Sequence, residues 1–68
     1  MLNIAQIGIG YWGPNLLRNL VANKKCEVKV VIEIDEERQN FVKETYPGIS
    51  VSNLLKDVIE NNDIDAVI

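Results

Sequence analysis

Gly8-Ile9-Gly10-Tyr11-Trp12-Gly13-Pro14-Asn15 sets three glycines, two adjacent aromatics and a proline in eight positions. Ile4-Ala5-Gln6-Ile7 precedes it as a short strand candidate. After it, Leu16, Leu17, Leu20 and Val21 recur at i, i+1, i+4 and i+5, one stripe of an amphipathic helix. The glycines therefore fall where a strand must turn into a helix. Gly8 permits the tight turn, and Gly13 lets the helix start pack closely on the strand. Pro14 suits the first helical turn, where its missing N–H would have no partner anyway and its fixed φ is already helical.

Outward from this turn, four apolar runs alternate with three helix-like segments. Val28 to Ile34 is rich in β-branched residues and reads as a strand buried on both faces, with Cys26 at its start as a small buried hydrophobe. Asp35 stands where an N-cap belongs, with Glu36 and Glu37 complementing the helix dipole behind it. Phe41, Val42 and Thr45 form that helix's expected inner face, and Tyr46-Pro47-Gly48 ends it. Ile49 to Val51 is a short strand. Ser52 or Asn53 is expected to cap a third helix carrying Leu54, Leu55, Val58 and Ile59, before a final apolar run, Asp65 to Ile68. Helices of about ten residues between strands predict βαβ units. Right-handed crossovers then give an α/β, βαβαβαβ fragment with a parallel sheet in strand order 3-2-1-4. The chain stops at its most apolar point, so the reading is of a Rossmann-type sheet truncated after the fourth strand.

Composition narrows the function. Sixty-eight residues make at most one small domain, with 47% hydrophobic and 25% charged residues. A net charge of −3 and no basic cluster argue against nucleic acid or an anionic membrane as partner. The single cysteine and the absence of histidine leave no internal disulfide and no zinc-type ligand set, so no metal is expected. No apolar run approaches the ~20 residues of a membrane span, and no secretory leader is visible; a cytoplasmic protein is expected.

Gly8, Gly10 and Gly13 complete a G-x-G-x-x-G, a pattern that gains meaning only from its strand–turn–helix context. Gly10, lacking Cβ, allows a pyrophosphate to approach backbone N–H groups left free at a helix N-terminus, where the dipole holds an anion without a basic side chain. Glu33 follows Gly13 by 33 − 13 = 20 positions, at the end of the second strand, where a carboxylate accepts hydrogen bonds from ribose hydroxyls. No arginine follows immediately, so NAD is expected over NADP. Asp35 caps the helix and could assist Glu33. Tyr11 and Trp12 either line the ribose and nicotinamide side of the cofactor or cover the sheet edge. An FAD-binding half-domain shares the glycine pattern and is the alternative, as is a self-assembling fragment without activity; a methyltransferase loop lacks this helix start.

"GIGYWGPNLLRNL", together with "VIEIDEER", "YPGISVS" and "IDAVI", resembles the glucose-fructose oxidoreductase/inositol 2-dehydrogenase (Gfo/Idh/MocA) family over nearly the whole chain. The Tyr-Trp-Gly-Pro-Asn form is similar to members acting on nucleotide-linked sugars. The resemblance implies an oxidoreductase moving a hydride between NAD and a sugar, nucleotide-sugar or cyclitol hydroxyl. Gly8, Gly10, Tyr11, Trp12 and Gly13 would match its pyrophosphate loop, and Glu33 its ribose reader, more often aspartate in the family. Its Glu-Lys-Pro motif and substrate domain have no counterpart in these residues, so 1–68 reads as a partial dinucleotide-binding domain. No catalytic residue is expected within it, and the chain alone is expected to be inactive and to self-associate.

Overall fold

The structure, a computed structural model, describes residues 1–68. Strands and helices alternate along the chain: β1 (Leu2–Ile7), α1 (Gly13–Ala22), β2 (Cys26–Ile32), α2 (Glu36–Thr45), β3 (Ser50–Ser52), α3 (Lys56–Ile59) and β4 (Ala66–Val67). All strand pairs are parallel and the sheet order is β3-β2-β1-β4, the order that right-handed crossovers require.

β2 explains how one strand serves two cores. Ile4 pairs with Val28 but Ala5 pairs with Val30, so the register slips by one residue at Lys29. A strand's side chains alternate with period two, so the slip puts Val28 and Val31 on the same face and Val30 and Ile32 on the other. On the first face Val28 and Val31 meet Ile9, Leu17 of α1 and Val42 of α2. On the second, Val30 and Ile32 meet Ala5 and Val58 of α3. Helices thus cover both faces.

The amphipathic stripes are narrower than their sequence spacing suggests. Of the α1 stripe only Leu17 is fully buried; Leu16 and Val21 are exposed. Of the α2 face only Val42 is buried, and Phe41 and Thr45 are exposed. A helix lying on a two- or three-strand patch presents one row of side chains to it, and flanking rows reach solvent. β2 ends at Ile32 rather than Ile34, and Ile34 is 84% exposed, because the sheet gives it nothing to pack against. α3 is a single turn. Leu54 and Leu55 lie in the turn ahead of it, whose Leu54 N–H donates to Ser52 Oγ at 3.0 Å. Ser52 Oγ thus holds that preceding turn, while α3 itself starts from Leu55 with no side-chain cap, so neither Ser52 nor Asn53 caps the helix as expected.

Other boundaries follow local chemistry. Asp35 caps α2, its carboxylate accepting the Arg38 N–H at 3.0 Å. Tyr46-Pro47 stops α2 at Thr45, and Pro14 sits in the first turn of α1. The β4 segment is tied to β1 beyond its two paired residues: the Ile68 N–H donates to the Ala5 carbonyl and the Ile7 N–H to the Ile68 carbonyl. No helix is long and apolar enough to cross a membrane.

Candidate functional site

The carboxyl ends of β1 and β2 meet the N-terminus of α1 at the glycine turn. Gly8 continues the ladder, its N–H donating to the Ile32 carbonyl at 2.8 Å, and then turns out of the strand with φ +86°, a conformation that costs an L side chain strain. Ile9 drops its side chain into the core and pins the turn from below. A Cβ on Gly13 would lie 3.3 Å from the Gly8 carbonyl oxygen and 3.5 Å from the Ile9 side chain, so a side chain there would push the helix start and the turn apart by a few tenths of an ångström. Nothing lies within 4 Å of a Cβ built on Gly10, which therefore faces open space.

Between these fixed points the backbone has donors to spare. The N–H groups of Gly10, Tyr11, Trp12 and Asn15 donate to no acceptor in the protein, and Pro14 has none to give. Trp12, at the N-cap, supplies no capping side chain, and no acidic residue stands in the first turn of α1. α2 is the opposite case, with Asp35, Glu36 and Glu37 already at its positive end. The exposed start of α1 thus carries unpaired donors and an unneutralised dipole, an arrangement suited to a phosphate group.

Glu33 is neither solvated nor free. It is 6% exposed, and its carboxylate accepts three backbone N–H groups: Ile9 on Oε1 at 2.7 Å, Ile34 and Asp35 on Oε2 at 2.8 and 3.0 Å. Burial pushes its pKa up, but the Asp35, Ile9 and Ile34 N–H groups, with the Arg38 charge, outweigh it and hold the carboxyl below its ordinary value. The side chain at the end of β2 therefore clasps the glycine turn across 24 residues of sequence. Asp35 is exposed and engaged as the α2 cap, so the structure places it beside Glu33 without joining the two carboxylates in one cluster.

Tyr11 and Trp12 project from the turn, 87% and 72% exposed, with ring centroids 5.2 Å apart and edge to face. At that exposure they do not cover the sheet edge. Two glutamines escaped the sequence reading. Gln6, 1% exposed in β1, donates from Nε2 to the Gly8 and Gly13 carbonyls, each at 3.2 Å. Gln39 of α2 donates from Nε2 to the Glu33 carbonyl at 2.5 Å. The visible signal for Gln6 was a carboxamide inside the otherwise apolar run from Ile4 to Ile7; Gln39 gave none. The molecule's two surface concavities, ≈ 390 and ≈ 440 Å³, lie at the amino ends of the strands and beside β4, away from the turn. The turn itself is an open shelf of backbone, as a site for an extended, charged ligand can be.

The GFO_IDH_MocA family model, described as "Oxidoreductase family, NAD-binding Rossmann fold", matches residues 2–68. The chain belongs to this family. Its description names NAD, which sets aside the flavin alternative. Among solved structures, GenD2 from gentamicin A biosynthesis, in complex with NAD, is similar in fold to this GFO_IDH_MocA chain, with a TM-score of 0.84 at 21% identity. The likeness covers 97% of this chain and 19% of GenD2, so the chain spans about a fifth of that protein's length. No curated protein sequence matches it.

Proposed function

We propose that this chain is the dinucleotide-binding part of a cytoplasmic oxidoreductase that moves a hydride between NAD and a hydroxyl of a sugar, nucleotide sugar or cyclitol. The observation that carries the reading is the set of unpaired N–H groups at Gly10, Tyr11 and Trp12, at the uncapped start of α1 and directly after Ile9, where Glu33 holds the turn. Gly8, Gly10, Tyr11, Trp12 and Gly13 hold the pyrophosphate, with Gly10 as the point of closest approach. NAD, when bound, supplies the hydride-accepting group; what these residues do is grip its phosphates and adenosine end.

Glu33 reads the adenosine ribose. A carboxylate has about four lone-pair sites, and three accept backbone donors here, which leaves about one for a ribose hydroxyl. Asp35 assists from the first turn of α2. A 2′-phosphate at that place meets a carboxylate held ionised, and two like charges ~4 Å apart repel by about 4 kcal/mol at an effective dielectric of ~20. NAD is therefore preferred to NADP. Hydride removal from a hydroxyl also needs a proton acceptor within hydrogen-bond reach. Lys24, Lys25, Lys43 and Lys56 are exposed, and Lys29 pairs with Glu27 at 3.2 Å, so none is set at the turn. The isolated chain then binds cofactor without turning over, and the substrate is held by residues outside these 68.

Isothermal titration with NAD and with NADP tests the reading. NAD should bind at least about tenfold more tightly, a difference of ~1.4 kcal/mol. Equal or tighter NADP binding overturns the assignment of Glu33, and reduction of NAD by the chain alone across a panel of sugars and cyclitols overturns the assignment of catalysis to other residues.

A further inference from the structure

We propose that Gln6 is a positioning residue for the dinucleotide, its buried carboxamide holding the two ends of the glycine turn at the spacing from which the free N–H groups project. Nε2 donates to the Gly8 carbonyl and to the Gly13 carbonyl, the first and last glycines of the turn, each at 3.2 Å. The other end of the same amide, Oε1, is buried with no hydrogen-bond partner. Flipping the amide does not relieve this, because Oε1 would then face two carbonyl oxygens. The orientation is set by the turn.

An orphaned buried acceptor destabilises a fold, and an aliphatic side chain at position 6 would avoid it. Ile4 and Ala5, the other fully buried residues of β1, are apolar. Neither strand formation nor core packing therefore accounts for a glutamine here, whereas its two donors reach the two glycines of the turn that have no side chain to anchor in the core. Glu33 fixes Ile9 from β2 while Gln6 fixes Gly8 and Gly13 from β1, so every bend of the turn except Gly10 to Trp12 is held by a side chain. Those unheld residues carry the unpaired donors. A turn set in advance spares the ligand the entropy of ordering it, which is where the affinity gain lies. The proposal rests on the reading of the turn as an NAD site.

Trp12 is the chain's only tryptophan and stands in the unheld segment, so its fluorescence anisotropy reports the turn with or without NAD. Gln6→Met keeps the length and the apolar stem but donates nothing. Its thermal midpoint should change by no more than a few degrees, because losing the orphaned Oε1 offsets the donor lost to the Gly8 and Gly13 carbonyls; its Trp12 anisotropy should fall without ligand, and its NAD dissociation constant should rise about tenfold. Unchanged anisotropy, or a midpoint that falls while the anisotropy of the folded protein holds, overturns the proposal. If neither protein binds NAD, the reading of the site fails, and the ligand-free anisotropy still decides whether Gln6 sets the turn. Should the variant not fold, amide exchange in the wild type decides: the Gln6 Nε2 protons exchange slowly if they bridge the two carbonyls, and exchange at the rate of surface amides overturns the bridge.

Discussion

Glu33→Gln replaces a carboxylate by an isosteric amide at the point where β2 grips the glycine turn. The native side chain accepts at both oxygens, from Ile9 at 2.7 Å and from Ile34 and Asp35 at 2.8 and 3.0 Å. These lengths belong largely to charge-assisted bonds. An amide keeps one acceptor. If it faces Ile9, its NH₂ meets the Ile34 and Asp35 N–H groups, donor against donor. Each buried donor left unpaired costs roughly 1–3 kcal/mol, and these two are only partly buried, so water recovers part of that cost. A loss of about 2 kcal/mol results, against a total stability of roughly 3–10 kcal/mol for a chain of this size. The midpoint of thermal unfolding, followed by circular dichroism at neutral pH, should fall by roughly 8–16 °C. The pH dependence supplies the sharper test. The folded pKa of Glu33 lies below its ordinary value of 4.5, so its contribution is complete above that value and is lost as pH falls through the folded pKa. The wild type should therefore lose its advantage over Glu33→Gln progressively as pH falls below 4.5 and through the lower folded pKa, while the variant lacks this part of the acid transition. A neutral-pH difference under about 2 °C, or one that persists undiminished in acid, refutes the account of Glu33 as an ionised clasp.

Glycine substitutions separate conformation from access. Gly8→Ala, at φ +86°, should cost about 1–2 kcal/mol and lower the unfolding midpoint. Gly10→Val, with nothing within 4 Å of its Cβ, should leave the midpoint almost unchanged yet weaken NAD binding by tenfold or more, about 1.4 kcal/mol; titration calorimetry beside a thermal melt checks both, and equal loss of stability in the two variants refutes the distinction. The chain is expected to self-associate through β4 and the α3 side, where Leu54, Leu55, Ile59, Val67 and Ile68 are exposed and β4 pairs with β1 alone. Covering a few hundred Å² of that surface would contribute several kcal/mol at about 25 cal/mol per Å². Sedimentation equilibrium at micromolar concentration should show a dimer, and a monomer with slowly exchanging amides throughout β4 refutes it.

The sequence by itself determined the alternation of strands and helices, the 3-2-1-4 order, the glycine turn, Pro14 at the start of α1 and Asp35 as the cap of α2. Each depends on local chemistry or on the handedness of crossovers: a positive φ needs glycine, a free helix terminus wants a side-chain oxygen, and a parallel crossover turns one way. Only the tertiary structure decided which apolar residues are core. Leu17 and Val42 are buried while Leu16 and Phe41 are not, because the slip at Lys29 and the narrow sheet select one row of each helix. It also decided what the polar residues at the turn do. Spacing marked Glu33 only as an expected ribose contact; burial and three backbone donors make it a clasp on Ile9. Within the strand candidate Ile4 to Ile7, Gln6 carries no sequence signal of its own that its amide bridges Gly8 and Gly13. Those contacts join residues across strand, turn and helix, and no local preference encodes them, since a side chain finds its partner only when packing has brought the two together.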